Sequence, residues 1–205
     1  MNIGGFLACS FSDFPHHLAA VVFTQGCNFR CPFCHNAGLL AMQAGPLAQS
    51  DVLDALRQRR NQLEGVVVSG GEPTLHPDLP AFLIELRQMG YKIKLDTNGS
   101  RPEVLRALFG AKLVDFVAMD VKAPWEKYSE LAGVPVQCER LRESMTLIAA
   151  SGLPHEFRTT AVTRLLTADD MAAIRAQIPQ GSPYRVQPFR PEHALSPALR
   201  VGNAV

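Results

Sequence analysis

The chain has 205 residues, 47% of them hydrophobic and 19% charged, which is enough apolar material for one sizeable core. Its formal net charge is +1, and no basic stripe marks an electrostatic nucleic-acid surface. No apolar run approaches the ~18 residues of a membrane span, and no charged N-terminal segment leads into a long apolar one, so the expectation is a single cytoplasmic domain over 1–205 with neither membrane nor nucleic acid as partner.

Residues 1–17 are expected to form an N-terminal edge strand and turn, with 3–11 pairing against the first core strand. Residues 18–24 read as a buried strand leading into a cysteine loop. Ser50 and Asp51 are placed to cap a helix through about Arg60. A second strand follows at 65–69, then an amphipathic helix over 80–89 stopped by Gly90. A third strand spans 91–96, and Pro102 opens a helix to about Phe109, ended by Gly110. A fourth strand at 115–120 precedes a helix over 137–150 with Gly152 after it. A fifth strand covers 155–161. Thr167, backed by Asp169 and Asp170, caps a helix to about Ile178. A sixth strand at 184–189 is followed by a tail, 190–205, rich in proline and small residues and expected to be loosely ordered.

Strand–helix alternation of this kind implies parallel strands with right-handed crossovers. Six units are fewer than the eight of a closed barrel, which takes ~250 residues. The expected fold class is therefore α/β, a partial (βα)6 open barrel with parallel strands.

Cys27, Cys31 and Cys34 stand in the run Gln25-Gly26-Cys27-Asn28-Phe29-Arg30-Cys31-Pro32-Phe33-Cys34-His35-Asn36. Three clustered thiols with no local fourth suit a 4Fe–4S cluster that keeps one iron open, whereas a cluster held only for electron transfer has four cysteines. A structural zinc site closes with four ligands, often two Cys-X2-Cys knuckles. Here one such pair occurs, and His35 follows Cys34 too directly to complete a tetrahedron easily. Five cysteines make an odd number, which argues against a disulfide framework. A zinc site and incidental thiols remain open at this point. Cys9 and Cys138 are isolated and read as buried small hydrophobes.

Each strand ends in a polar or glycine cluster, and catalytic groups of βα barrels collect at that rim. Ser69 leads into Gly70-Gly71-Glu72-Pro73, Leu95 into Asp96-Thr97-Asn98-Gly99, and Met119 into Asp120-Val121-Lys122. Asp120 and Lys122 share one side of an extended segment, as do Arg158 and Thr160. Each cluster alone can be structural: a tight turn, an Asn-Gly turn, a rim salt bridge. Together they make a mouth suited to a zwitterionic ligand with a carboxylate and a ribose.

The cysteine spacing, with Phe33 just before the third cysteine, resembles the signature of the radical S-adenosylmethionine (radical SAM) enzymes. The segment 70–72 resembles their Gly-Gly-Glu motif. Segments 11–15, 22–27, 69–73, 95–99, 117–122, 156–160 and 187–190 resemble a narrower group, the glycyl-radical-enzyme activases, above all activators of anaerobic ribonucleoside-triphosphate reductase. Pro15-His16-His17 departs from the Pro-Gly common there. The resemblance implies a 4Fe–4S cluster on Cys27, Cys31 and Cys34, with S-adenosylmethionine on the fourth iron. Gly70, Gly71 and Glu72 would then position its amino group. Lys122 and Arg158 would meet its carboxylate, and Asp120 its ribose. Phe33 and the backbone of Cys34 and His35 would lie near the adenine, with Asn98 and Gln187 as further cofactor contacts. Asp96 and Asp120 are expected to share a monovalent cation. The implied partners are a glycyl radical enzyme, most directly the anaerobic reductase, and a flavodoxin- or ferredoxin-like electron donor. A radical enzyme acting on a small molecule or making another protein modification is the alternative. A non-catalytic iron–sulfur electron-transfer or zinc-binding module is the alternative of another class.

Overall fold

A computed structural model describes residues 1–200. Seven strands form one sheet in the order in which the chain visits them: β1 (Ile3–Ser10), β2 (Ala19–Thr24), β3 (Gly65–Gly70), β4 (Lys92–Thr97), β5 (Phe116–Asp120), β6 (His155–Ala161) and β7 (Tyr184–Pro188). Strands β2 to β7 are parallel neighbours, and β1 lies antiparallel on β2. The six-unit open barrel and its N-terminal edge strand are thus as expected.

Period-two alternation sorts the two faces of the sheet. Val22, Val66, Val68, Ile93, Leu95, Val117, Met119 and Phe157 face outward into the main core. That core also takes the apolar faces of α1 (Gln49–Gln58), α2 (Leu79–Gln88), α3 (Pro102–Gly110) and α5 (Cys138–Ala150). The inner face has a small apolar floor of Phe14, Ala19, Val21 and Val67, with Phe23 and Phe116 against it. Above that floor the inner face turns polar, and this is where the site lies. The turn carrying Phe14 bends at His16, whose φ of 64° lies in the left-handed region that favours glycine. That is the position where Pro-Gly was expected.

Some boundaries differ from the sequence reading. α1 starts at Gln49 behind an extended Ala48 with no side-chain cap. Ser50 turns its hydroxyl to Asp51 instead of to the backbone. Thr167 does cap α6 (Ala168–Gln177), in a reciprocal box with Asp170. The short α4 (Tyr128–Ala132) was not foreseen; it is stopped by Gly133 at φ 67°, whose bare Cα lies against the Arg30 carbonyl.

The expectation of a loose tail is corrected for 190–200. A 3-10 turn at Pro191–His193 and α7 (Pro197–Arg200) bury Ala194 and Leu199. The Ser196 N–H donates to the Pro32 carbonyl at 2.8 Å. Backbone donors there, the Ser196 N–H to Pro32 and the Arg190 N–H to His35, fix the segment onto the cysteine loop. Residues 201–205, the rest of that expected tail, lie outside the described residues. Among the described residues no helix is long and apolar enough to cross a membrane.

Candidate active site

The cysteine loop leaves the top of β2 and returns to its own start. Gly26 and Cys27 donate their N–H groups to the carbonyls of Leu39 and Leu40 at 2.7 and 3.2 Å. Gln25, buried, donates from Nε2 to the carbonyls of Gly38 and Ala41. Inside this closed loop the Cys34 N–H donates to the Cys31 carbonyl at 3.0 Å, and the Phe29 N–H reaches the Cys27 sulfur at 3.4 Å. His35 stacks on Phe189, 5.5 Å between ring centres, and its Nε2 accepts the Arg190 N–H at 3.1 Å. Cys27, Cys31 and Cys34 line one cavity of about 220 Å³ at the mouth of the barrel.

Gly70 and Gly71 pass beneath that loop. A Cβ at Gly71 would stand 2.0 Å from the Gly26 carbonyl oxygen, and one at Gly70 2.3 Å from the Thr24 nitrogen. The glycines therefore permit contact with the chain's own backbone, and both also line the cavity. Glu72 is placed differently from the expectation. It is fully buried and is not among the residues lining the cavity. Its Oε1 accepts from the Thr74 N–H, the Thr74 hydroxyl and the Thr97 hydroxyl, and its Oε2 accepts the Asn98 N–H at 2.6 Å. Burial pushes its carboxyl above the ordinary range, against four opposing donors. Glu72 thus ties the end of β3 to the end of β4. Asn98 passes the tie on, donating from Nδ2 to Asn28 Oδ1 in the cysteine loop at 2.9 Å.

The remaining wall is a run of alternating charges on the inner faces of β4, β5 and β6. Arg158 lies between two carboxylates, 3.3 Å from Asp96 Oδ2 and 3.0 Å from Asp120 Oδ1. Burial pushes the Asp120 carboxyl up, and Arg158 and Lys122 more than reverse this, bringing it down to about 2. Lys122 stands 3.4 Å from Asp120 Oδ2, a loose contact. Burial opposes its charge, but Asp120 prevails and holds the ammonium above its usual range. The Tyr128 hydroxyl, which the sequence did not flag, braces this segment between the Asp120 carbonyl and the Lys122 N–H.

The cavity thus brings together the three cysteines, Phe33, His35, Gly70, Gly71, Asp96, Asn98, Asp120, Lys122, Arg158 and Gln187, and leaves out Glu72. Ser69 and Asn36, absent from the expected set, line it too. A second, wider cavity of about 670 Å³ shares His35, Asn36, Ser69, Thr160 and Gln187 with the first. It is lined by Asp13 after β1, Phe23 of β2 and Arg185–Pro188 of β7, and the two unpaired edges of the sheet are β1 and β7.

The profile of the Radical SAM superfamily matches residues 21–175. The chain belongs to that superfamily. This radical SAM enzyme is 30% identical over 197 residues to "Putative glycyl-radical enzyme activating enzyme MJ1227" of Methanocaldococcus jannaschii, a match covering 94% of the chain and 81% of the relative. Over 76 residues, 37% of the chain and 34% of the relative, it is 33% identical to 7-carboxy-7-deazaguanine synthase of Aquifex aeolicus. Its fold matches anSMEcpe with bound AdoMet at a TM-score of 0.63 and 16% identity, covering 81% of the chain and 49% of that structure. The radical SAM chain thus spans about half the length of that structure and about a third of the deazaguanine synthase.

Membership implies a 4Fe–4S cluster and S-adenosylmethionine, and the residues present fit both. A cubane that keeps one iron open asks for three thiolates around a shared cavity, and the three cysteines line one. Among the described residues no three His, Cys, Asp or Glu side chains are grouped to hold a single metal ion. Burial pushes the Cys27 thiol up to about 11 and raises Cys31 as well. Bare, these thiols are neutral; bound iron holds such ligands as thiolates. The monovalent cation does not fit, because Arg158 already stands between Asp96 and Asp120.

Arg158 is engaged by both carboxylates, so Lys122 is the freer cation for a ligand carboxylate. Lys122→Ala is expected to keep the iron content and weaken S-adenosylmethionine binding by about 10- to 150-fold, the loss of a charge-assisted contact of roughly 1.5–3 kcal/mol. Equilibrium dialysis of the reconstituted variant checks this, and unchanged affinity would place the carboxylate elsewhere.

Proposed function

We propose that this radical SAM enzyme is a glycyl-radical-enzyme activase, and that its partner is an anaerobic ribonucleoside-triphosphate reductase. The observation that carries the reading is the relationship to the M. jannaschii protein, which extends over 94% of the chain. The open side of the barrel supports it: a peptide loop needs a lateral way in, and the wide cavity beside β7 shares His35, Asn36, Ser69, Thr160 and Gln187 with the cavity that the cysteines line. Cluster and S-adenosylmethionine, when bound, supply a carbon radical able to take a hydrogen atom. In this reading Cys27, Cys31 and Cys34 hold the cluster, and Lys122 holds the ligand carboxylate. Phe33 and the His35 backbone bound the adenine, and Gly70, Gly71, Asn98 and Gln187 complete the walls. Asp120 faces the ribose. A glycine is the fitting target, because its Cα radical is stabilised by two flanking amides and carries no side chain to hinder approach. A flavodoxin- or ferredoxin-like protein supplies the electron.

The test combines the reduced protein, S-adenosylmethionine and the reductase of the same cell under anaerobic conditions. Electron paramagnetic resonance is expected to show a doublet that collapses when the reductase glycine is deuterated at Cα. About one S-adenosylmethionine is consumed per radical, since a stored protein radical does not return its hydrogen. Cofactor cleavage without a glycyl signal on any glycyl radical enzyme of that cell would end this reading. The small-molecule alternative, favoured by the shorter match to 7-carboxy-7-deazaguanine synthase, would take its place.

A further inference from the structure

Lys94 is a buried cation to which the site described above gives no task. It stands two residues before Asp96 on the inner face of β4, with its side chain 1% exposed. Its Nζ lies 2.5 Å from Asp96 Oδ1, above the edge of the apolar floor and 5.9 Å from the centre of the Phe116 ring. Asp96 Oδ2 accepts from the Ser69 hydroxyl at 3.1 Å and from Arg158 Nη1 at 3.3 Å. Asp120 Oδ1 accepts from Arg158 Nε at 3.0 Å, and Asp120 Oδ2 faces Lys122 at 3.4 Å. All four oxygens of the two carboxylates therefore meet donors of the chain itself.

Two carboxylates on one wall repel each other, and Asp96, its side chain 14% exposed, needs positive charge beside it. A metal ion is one source of it. Here an ion bridging the two carboxylates would have to displace Arg158, which already stands between them. Although burial pushes the Asp96 carboxyl up, Arg158 and then Lys94 hold it below its ordinary value.

We propose that Lys94 is the resident counter-ion of Asp96, that with Arg158 between Asp96 and Asp120 it balances the pair, and that the cofactor site of this chain works without a monovalent metal ion. Lys94 acts through Asp96 and Arg158, so it is a positioning residue. The proposal rests on the S-adenosylmethionine site and not on which substrate the enzyme takes.

The test measures S-adenosylmethionine binding to the anaerobically reconstituted protein in potassium, sodium and choline chloride at equal ionic strength. Wild type is expected to bind within about twofold in all three salts, whereas Lys94→Met binds about tenfold more weakly in choline and recovers in potassium or sodium. Lys94→Arg keeps the charge and is expected to remain insensitive to the salt. A readout that needs neither cluster nor cofactor is the melting temperature of the metal-free chain. Potassium in place of choline should raise it for Lys94→Met and not for wild type. Wild-type affinity more than about fivefold tighter in potassium than in choline would overturn the proposal. So would a Lys94→Met protein that matches wild type in every salt, or whose loss no salt restores. If Lys94→Met does not fold, the wild-type salt series decides alone.

Discussion

Alanine at Cys27, Cys31 or Cys34 is expected to leave a folded chain that holds no stable cluster and cleaves no S-adenosylmethionine. Each thiol serves one iron, so a single loss undoes the set rather than a third of it. Iron and sulfide should fall from about four of each per chain to near zero after anaerobic reconstitution. Cys9→Ala and Cys138→Ala should retain full iron. Neither residue lines the cavity, and the Cys138 sulfur merely approaches the Trp125 carbonyl at 3.8 Å. Circular dichroism separates loss of cluster from loss of fold. Wild-type protein that takes up one zinc per chain and no iron would defeat the assignment of all three cysteines.

The second large effect is expected at Glu72. Glu72→Ala removes the acceptor of two buried backbone N–H groups, those of Thr74 and Asn98, and of two hydroxyls. A buried donor left unpaired costs about 1–3 kcal/mol, so the total should reach about 3–5 kcal/mol. Against a typical stability of about 5–15 kcal/mol that is a large fraction. Glu72→Gln keeps the shape and one carbonyl acceptor, and should lose about 1–3 kcal/mol. Denaturant midpoints of the metal-free chain report the difference without involving the cofactor. If Glu72→Ala unfolds at the wild-type midpoint yet binds S-adenosylmethionine poorly, Glu72 is a ligand contact after all, and the buried tie is not its role.

How much of this was legible in the sequence depended on how local the signal was. β6 was expected at 155–161 and lies at His155–Ala161, because the turn signals on either side, Gly152 and Pro154 before it and the capped helix at Thr167 after it, are local. The cysteine spacing and the strand-end clusters were legible for the same reason. Glu72 was misplaced because its partners Thr97 and Asn98 lie 25 and 26 residues further on, beyond any local pattern. Tyr128 was missed because its hydroxyl contacts depend on how α4 packs. Lys94 had a signal that went unused: it precedes Asp96 by two and so must share its face. The tail misled because composition reports side chains, whereas residues 190–196 are held by backbone groups.

The bond between Arg190 and His35 joins residues 155 apart in the chain. Chains are made from the N-terminus at about 5–20 residues per second, so roughly 8–30 seconds separate the synthesis of the two partners. Throughout that interval the cysteine loop exists while Phe189 and Arg190, against which His35 rests, do not. The cysteine loop is therefore made well before the last partner of its histidine, and that contact can form only after β7 has been made.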